Sequence, residues 1–205
     1  MRLQWRKLFL VLILFTNVKL IAQNTDVNLL KSINNKESKF KNDFSSIDAQ
    51  SVTFFNVAAP AGFLVAGLIR NDKKLQRDAA YIAGAFVVST IVTQGLKRVV
   101  NENRPFQTWS FIVNRSEETG GRSFPSGHTS AAFCTATSLS LYIPKWYVIV
   151  PSYLWAASVG WARLYQGTHY PSDVLVGAVV GAGSAWLGHW LEGKMIRHSP
   201  LTIDH

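Results

Sequence analysis

The chain has 205 residues, enough for one domain with its own core. Hydrophobic residues make up 48% of it and charged residues 16%, and the formal net charge is +9. The low charged fraction indicates a membrane protein or an unusually buried one, and the positive charge indicates an anionic partner such as a lipid, a phosphate or a nucleic acid. The single cysteine, Cys134, excludes an internal disulfide.

Residues 1–22 have the pattern of a secretory signal peptide or signal anchor. Arg2, Arg6 and Lys7 precede the strongly apolar run LFLVLILF, and Ala22 is a candidate cleavage site. Either form directs the chain to or across a membrane. Residues 23–48 are polar and contain several lysines, so we expect an extracytoplasmic loop or an amphipathic surface helix there.

Five segments without Asp, Glu, Lys or Arg follow, at residues 49–69, 79–96, 123–144, 146–162 and 174–191. Each is close to the roughly 17–25 residues that cross a bilayer as a helix. The prediction is an all-α protein with five to six transmembrane helices. A soluble bundle of buried helices stays open as the alternative, because the segments are rich in small residues and the mean hydropathy is only +0.10.

Basic and aromatic residues orient these segments in the membrane. With the basic N-terminus in the cytoplasm, the turns that return to that side, at 70–78, at Lys145 and in the polar C-terminal tail 192–205, all carry Lys or Arg. Aromatic side chains near the segment ends predict an interfacial belt. Its members are Trp146, Tyr147, Tyr165, Tyr170, Trp186 and Trp190.

In this topology, three basic residues reach the outer face from separate stretches. Lys97 and Arg104 lie in residues 97–105, and Arg163 begins a stretch that ends at residue 173. Without matching carboxylates nearby, these cations would repel each other, so we expect them to surround a shared anion, for which phosphate is the best candidate. A nucleic-acid partner is excluded, because the positive charge is divided between two membrane faces and lies in short loops.

Two predicted helix starts on the same face carry catalytic residue types. Ser126 is a good N-cap and Gly127 lets a ligand approach the backbone, so this helix start can bind an anion. His169 and Asp173 are four residues apart, which allows the carboxylate to hold the Nδ1 proton and leaves Nε2 free as a nucleophile. His128 is then the candidate general acid.

These residues form three ordered motifs, Lys97-x6-Arg104-Pro105, Pro125-Ser126-Gly127-His128 and Arg163-x5-His169-x3-Asp173. In this order they resemble the signature of the type 2 phosphatidic acid phosphatases (PAP2), whose core is shared with bacterial class A acid phosphatases and vanadium haloperoxidases. The resemblance covers about residues 49–191. It departs at Ala162, because the family usually has a serine before the arginine of the third motif.

The resemblance implies a helical bundle of the PAP2 type and hydrolysis without a metal or another cofactor. It implies a phosphohistidine intermediate on His169, orientation of that histidine by Asp173, and proton donation by His128. The residues that it implies for binding the phosphoryl oxygens are Lys97, Arg104, Ser126, Gly127 and Arg163. A zinc site at the two histidines and Asp173 is disfavoured, because the three cations would repel a metal ion.

The leading hypothesis is an integral phosphatase of a bacterial inner (cell) membrane, with its site on the outside, that hydrolyses a lipid phosphate or diphosphate. Candidate substrates are phosphatidic acid, phosphatidylglycerol phosphate, undecaprenyl diphosphate and lipid A phosphate, and the other expected partners are membrane lipids. Three alternatives stay open: a soluble periplasmic acid phosphatase, a vanadate-dependent halide-oxidising enzyme, and a phosphate-binding membrane protein that is not an enzyme. The sequence specifies neither the lipid nor the oligomeric state.

Overall fold

The structure, a computed structural model, describes residues 25–35 and 37–197. Over these residues the chain is a bundle of α-helices without a β-strand, apart from an isolated antiparallel bridge between Asn103 and Arg122. The helices are α1 (residues 25–34), α2 (Lys39–Ile69), α3 (Lys73–Val100), α4 (Pro105–Thr108), α5 (Gly127–Tyr142), α6 (Trp146–Tyr165) and α7 (Pro171–Arg197). The all-α bundle is as predicted. The signal segment 1–22 and the end of the tail lie outside the described residues, so these assignments stay predictions.

Local side-chain chemistry sets the ends of α3. The carboxylate of Asp72 accepts hydrogen bonds from the backbone N–H groups of Lys74 (2.8 Å) and Leu75 (3.2 Å), which caps the first turn. The helix ends at Asn101, which adopts a left-handed conformation with φ 54°. Lys97 therefore lies in the last turn, facing the loop that connects to α5.

Residues 23–48 contain two helical stretches, because α1 is helical and α2 begins at Lys39 rather than at the first apolar segment. Val27 and Leu30 of α1 pack against Ile112 and Tyr170. The amide of Asn34 donates to the carbonyl of Val113 (2.9 Å) and accepts from its N–H (2.9 Å). This segment therefore braces the loop between α4 and α5.

Three of the described helices are long and apolar enough to cross a membrane: Lys39–Ile69, Lys73–Val100 and Pro171–Met195. Large apolar side chains on them are exposed, among them Ile69, Ile91 and Leu175. Helix α5 has only 16 residues, about 24 Å of helix, and it packs at the centre against α2, α3, α6 and α7. The total of five to six transmembrane helices therefore stays a prediction.

The predicted aromatic belt is only partly right. Trp146, Tyr147, Trp186 and Trp190 are exposed, but Tyr165 and Tyr170 are buried. The Tyr165 ring stacks on Trp161 with 5.2 Å between centroids, and its hydroxyl donates to the side-chain oxygen of Asn42 (2.6 Å). Tyr170 packs against Val27 and Leu30 of α1, and the hydroxyl of Tyr165 contacts Ser38 and Asn42, neither of which the sequence alone predicted.

Helices α5 and α7 pack with their backbones in direct contact, and two glycines make this possible. A Cβ atom at Gly177 would lie 2.6 Å from the carbonyl oxygen of Ser126. One at Gly181 would lie 2.0 Å from the carbonyl oxygen of Ser130, closer than any real contact. Small residues at such contacts are a common means of packing helices in membranes.

Gly181→Ala is therefore expected to lower the free energy of unfolding by at least the ~1–3 kcal/mol typical of overpacking, because α5 must move away from α7. The matched control is Gly183→Ala on the same helix, where a Cβ atom meets nothing within 4 Å. Thermal unfolding of both variants in detergent checks this. Equal melting temperatures would contradict the close contact between the two helices.

Candidate active site

The three sequence motifs meet at one end of the bundle. A cavity of about 320 Å³ opens between α2, α3 and α5 and extends from the motifs along these helices. The motif residues that line it are Lys97, Arg104, Gly127, His128 and His169. The start of α5, the end of α3 and the loop between α6 and α7 thus contribute to one site.

The start of α5 is fixed by its N-cap. The Ser126 hydroxyl oxygen accepts hydrogen bonds from the N–H of Thr129 (3.4 Å) and from its hydroxyl (2.8 Å). The Ser126 N–H donates to the carbonyl of Asp173 (3.0 Å), which joins the starts of α5 and α7. At Gly127 a Cβ atom would meet only a methyl group of Thr93, at 3.9 Å, so protein packing does not require glycine there. The absence of a side chain leaves the backbone open to the cavity.

The loop between α6 and α7 places His169 against a buried carboxylate. Nδ1 of His169 lies 3.4 Å from Oδ2 of Asp173, and both side chains are almost completely buried. The same Oδ2 accepts hydrogen bonds from the N–H of Tyr170 (2.8 Å) and from the hydroxyl of Ser123. Ser123 was not predicted as a site residue, because no feature of its sequence context indicates that it bonds to Asp173.

The surroundings of His169 favour its neutral form. Burial lowers the pKa of the imidazole, and the positive charges of Arg163, Lys97 and Arg104 lower it further, well below its usual value. The ring is therefore uncharged at neutral pH. If Asp173 accepts from Nδ1, the lone pair lies on Nε2, which gives the imidazole the protonation state of a nucleophile.

The expectation that the cations have no carboxylate nearby is wrong. The Glu118 carboxylate forms ion pairs with Nη2 of Arg104 and with Nη2 of Arg163. Both arginines are buried, with 7% and 2% of their surface exposed. Glu118 lies in the loop between α4 and α5, outside the three motifs, so sequence spacing did not link it to either arginine.

A compact turn holds Glu118 in this position. The side-chain oxygen of Asn114 accepts from the N–H (3.0 Å) and the hydroxyl (2.9 Å) of Ser116. The Asn114 amide donates to the carbonyl of Glu118 (2.8 Å), and the Glu118 N–H donates to the Ser116 hydroxyl (3.2 Å). The glutamate is thus presented to the arginines by a turn that closes on itself.

Glu118 is ionised at neutral pH. Burial favours its neutral form, but the charges of Arg163 and Arg104 outweigh this effect and lower the pKa of the carboxyl below its usual value. The glutamate is thus an anion bound between two cations. The sequence predicted a shared anion for these cations, with phosphate as the best candidate.

The arginines have donors that Glu118 does not use. Arg104 donates from Nη1 to the carbonyl of Thr168 (3.4 Å), and Arg163 donates from Nη1 to the side-chain oxygen of Gln166 (2.7 Å). Nε of each arginine is buried and has no hydrogen-bond partner among the residues that the structure describes. Buried donors normally have partners, so the pair can accommodate an anion with more oxygens than a carboxylate.

Lys97 lies at the edge of this cluster. Its ammonium group donates to the carbonyls of Arg122 (2.7 Å) and Ser123 (3.2 Å) and lines the same cavity.

Ala162, which stands where the family usually has serine, is fully buried. In residues 25–35 and 37–197, no group of three or more His, Cys, Asp or Glu side chains is arranged to hold a metal ion.

Comparison with known proteins identifies the family to which this chain belongs. The sequence model of the PAP2 superfamily matches residues 78–197, which include all three motifs. The chain is also similar to the lipid A 4'-phosphatase of Bacteroides thetaiotaomicron, with 34% identity over 101 residues. That match covers 49% of this chain but only 44% of the relative, so the chain spans less than half of that protein's length.

Two further similarities extend over most of the chain. The undecaprenyl-diphosphatase of Sulfolobus acidocaldarius is 28% identical over 193 residues, 92% of this chain and 90% of that protein. The crystal structure of a transmembrane PAP2-type phosphatidylglycerolphosphate phosphatase from Bacillus subtilis superposes with a TM-score of 0.73 at 24% identity. It covers 94% of this chain and 98% of the other, which shows a common fold.

A lowered pKa predicts that His169 stays neutral at about pH 6, where an ordinary histidine is largely protonated. Nitrogen NMR of the detergent-purified protein with ¹⁵N-labelled histidines measures this directly, and His169→Gln identifies the His169 signals. The neutral ring should give one protonated and one unprotonated nitrogen. A ring protonated with an ordinary midpoint would contradict the described burial and charge.

Proposed function

Because the chain belongs to the PAP2 superfamily, we propose that it is a membrane phosphatase that hydrolyses lipid phosphate monoesters or diphosphates through a phosphohistidine intermediate. The observation that supports this most strongly is the meeting of Arg104, His128 and His169 at one cavity, with Arg163 joined to Arg104 through the carboxylate of Glu118. Two buried cations bind an anion, and an uncharged imidazole lies beside them. This combination suits transfer of a phosphoryl group to a histidine.

In the first half of the proposed reaction, Nε2 of His169 attacks phosphorus. The N–P bond forms while the bond from phosphorus to the leaving oxygen breaks. His128, in the first turn of α5, takes up a proton when the phosphate anion binds beside it, and it gives this proton to the leaving oxygen as general acid. Asp173 accepts a hydrogen bond from the Nδ1–H group of His169 and stabilises the positive charge that develops on this ring.

In the second half, water attacks the phosphorus of the phosphohistidine. His128, which now lacks its proton, takes one from the water, the N–P bond breaks, and inorganic phosphate leaves. Each histidine thereby returns to its starting state. The hydrogen bonds of Ser123 and the Tyr170 N–H keep the Asp173 carboxylate in place through both steps.

The phosphoryl oxygens need several donors as negative charge builds up. We assign this role to Arg104 and Arg163, whose Nε atoms lack partners among the described residues, and to Lys97. The start of α5 adds the Ser126 hydroxyl and the backbone N–H group of Gly127, where the helix dipole favours an anion, whereas the Ser126 N–H is already bonded to the carbonyl of Asp173. All the catalytic groups assigned to the two steps are side chains or backbone groups of this chain, and the second reactant is water.

A lipid substrate is supported by the surface of the bundle. The chain is a membrane protein, and the cavity at the histidines lies between α2 and α3, two helices suited to crossing a membrane. Their exposed apolar side chains argue against a soluble periplasmic phosphatase. We place the site on the extracytoplasmic face of the inner membrane, because the basic turns at 70–78 and Lys145 lie at the opposite end of the helices.

Two of the similar proteins described above act on a lipid A phosphate and on a polyprenyl diphosphate, as their names state. Both substrates present a terminal phosphate at a membrane surface, and this shared feature is what we propose for the present chain. A panel that contains both compounds, phosphatidic acid, phosphatidylglycerol phosphate and a soluble phosphate ester identifies the preferred lipid.

Detergent-purified protein is expected to release phosphate from at least one lipid of this panel without added metal. His169→Ala should lower the rate by about 10³-fold or more, because it removes the nucleophile. The measurement is steady-state release of inorganic phosphate, with melting temperatures to verify folding.

The matched control is His189→Ala, a histidine of α7 that is 44% exposed and contacts Tyr142 and Glu192 instead of the cavity. This variant should keep most of its activity. Equal losses in the two variants, or full activity of His169→Ala, would refute the assigned nucleophile. Absence of phosphate release from the whole panel would refute the phosphatase.

A further inference from the structure

We propose that Glu118 is an internal competitor of the substrate phosphate, and that its carboxylate must leave Arg104 and Arg163 before the phosphoryl group can bind. This inference rests on the proposed function, because it concerns the same site. None of the three motifs contains this residue. In this proposal, Glu118 sets the affinity of the site for every phosphate ligand.

The geometry leaves little room for both anions. Glu118 bridges one nitrogen of each arginine, and these are the side chains assigned to the phosphoryl oxygens. A phosphate that contacts both guanidinium groups would place its oxygens beside the carboxylate. Two like charges at such a distance repel each other strongly in a buried site.

A second cavity has room for the Glu118 carboxylate after it leaves the arginines. This outer chamber has a volume of about 730 Å³ and lies between the start of α2 and the turn at residues 113–118. Its lining includes Glu118, Arg163 and His128, so it adjoins the inner cavity. The Glu118 side chain is 30% exposed, and rotation of this side chain toward the chamber would free both arginines.

A phosphate dianion is able to displace the carboxylate because it carries more charge and more acceptors. It can use the Nε donors that Glu118 leaves without partners among the described residues. The measured affinity for phosphate then equals the intrinsic affinity multiplied by the fraction of molecules in which Glu118 has left. A lipid substrate can compensate for this reduction in affinity through contacts of its lipid part, whereas free inorganic phosphate has no such contacts.

The competition has a consequence for turnover. After hydrolysis the site holds inorganic phosphate, whose tight binding to two buried arginines would slow its release. Return of the Glu118 carboxylate replaces the product as the partner of these arginines. The glutamate thus keeps the two cations compensated between turnovers and favours product release.

The test is Glu118→Gln, which keeps the size of the side chain and removes its charge. Full-length protein in detergent is titrated with inorganic phosphate by calorimetry, and orthovanadate inhibition is measured against the preferred lipid. We expect both ligands to bind at least about tenfold more tightly than to the unchanged protein, since a hydrogen bond between charged groups is lost from the competing state.

The matched control is Glu117→Gln, which makes the same change of charge at the neighbouring, exposed residue of the outer chamber. It should leave both affinities nearly unchanged. Equal tightening in both variants would show a general charge effect and overturn the proposal. Unchanged or weaker binding to Glu118→Gln would also overturn it, because Glu118 would then only position the arginines.

Asn114→Ala provides an independent variant in case Glu118→Gln does not fold. It removes the bonds that fix the turn without changing the charge of the site, so Glu118 should leave the arginines more often. Tighter phosphate binding supports the competitor, and unchanged binding overturns it. Calorimetry does not require turnover, so a protein that hydrolyses lipid but shows no tightening refutes only this inference. A protein without hydrolysis of any substrate refutes the phosphatase.

Discussion

Two buried guanidinium groups that share one anion are the constraint on which the site depends. Arg104 and Arg163 come from different parts of the chain, and their burial deprives both charges of solvent. Such a pair is stable only beside a negative group, because the cost of burying unpaired charge is several kcal/mol per ion, roughly. In the structure that group is Glu118, and the same cations help to keep His169 neutral. Anion binding and the protonation state of the proposed nucleophile therefore have a common cause.

The contact between α5 and α7 fixes the position of His128 relative to Asp173 and His169. Gly177 and Gly181 allow the two backbones to touch, and the Ser126 N–H bonds to the carbonyl of Asp173. The helix start that carries His128 is thereby held against Asp173, whose carboxylate contacts His169. Packing within the apolar bundle and the arrangement of the site at one end of it are properties of the same pair of helices.

Much of this could be predicted from the sequence, because the relevant relations are local. Ser126 caps the helix that it precedes, and the spacing of His169 and Asp173 brings their side chains within reach. The position of Glu118 depends instead on tertiary contacts, namely the turn at Asn114 and the support that Asn34 gives to Val113. No periodicity or spacing encodes such contacts. The burial of Tyr165 and Tyr170 was missed for the same reason, since a polar segment distant in sequence contacts them.

The central claim is that these separate stretches form one pocket for a tetrahedral oxyanion beside an imidazole. An experimentally determined structure of the purified protein with orthovanadate tests it most directly. We expect vanadium within bonding distance of Nε2 of His169 and its oxygens in contact with Arg104 and Arg163. Vanadate bound elsewhere, or the histidine and the two arginines too far apart to contact one ion, would contradict the claim.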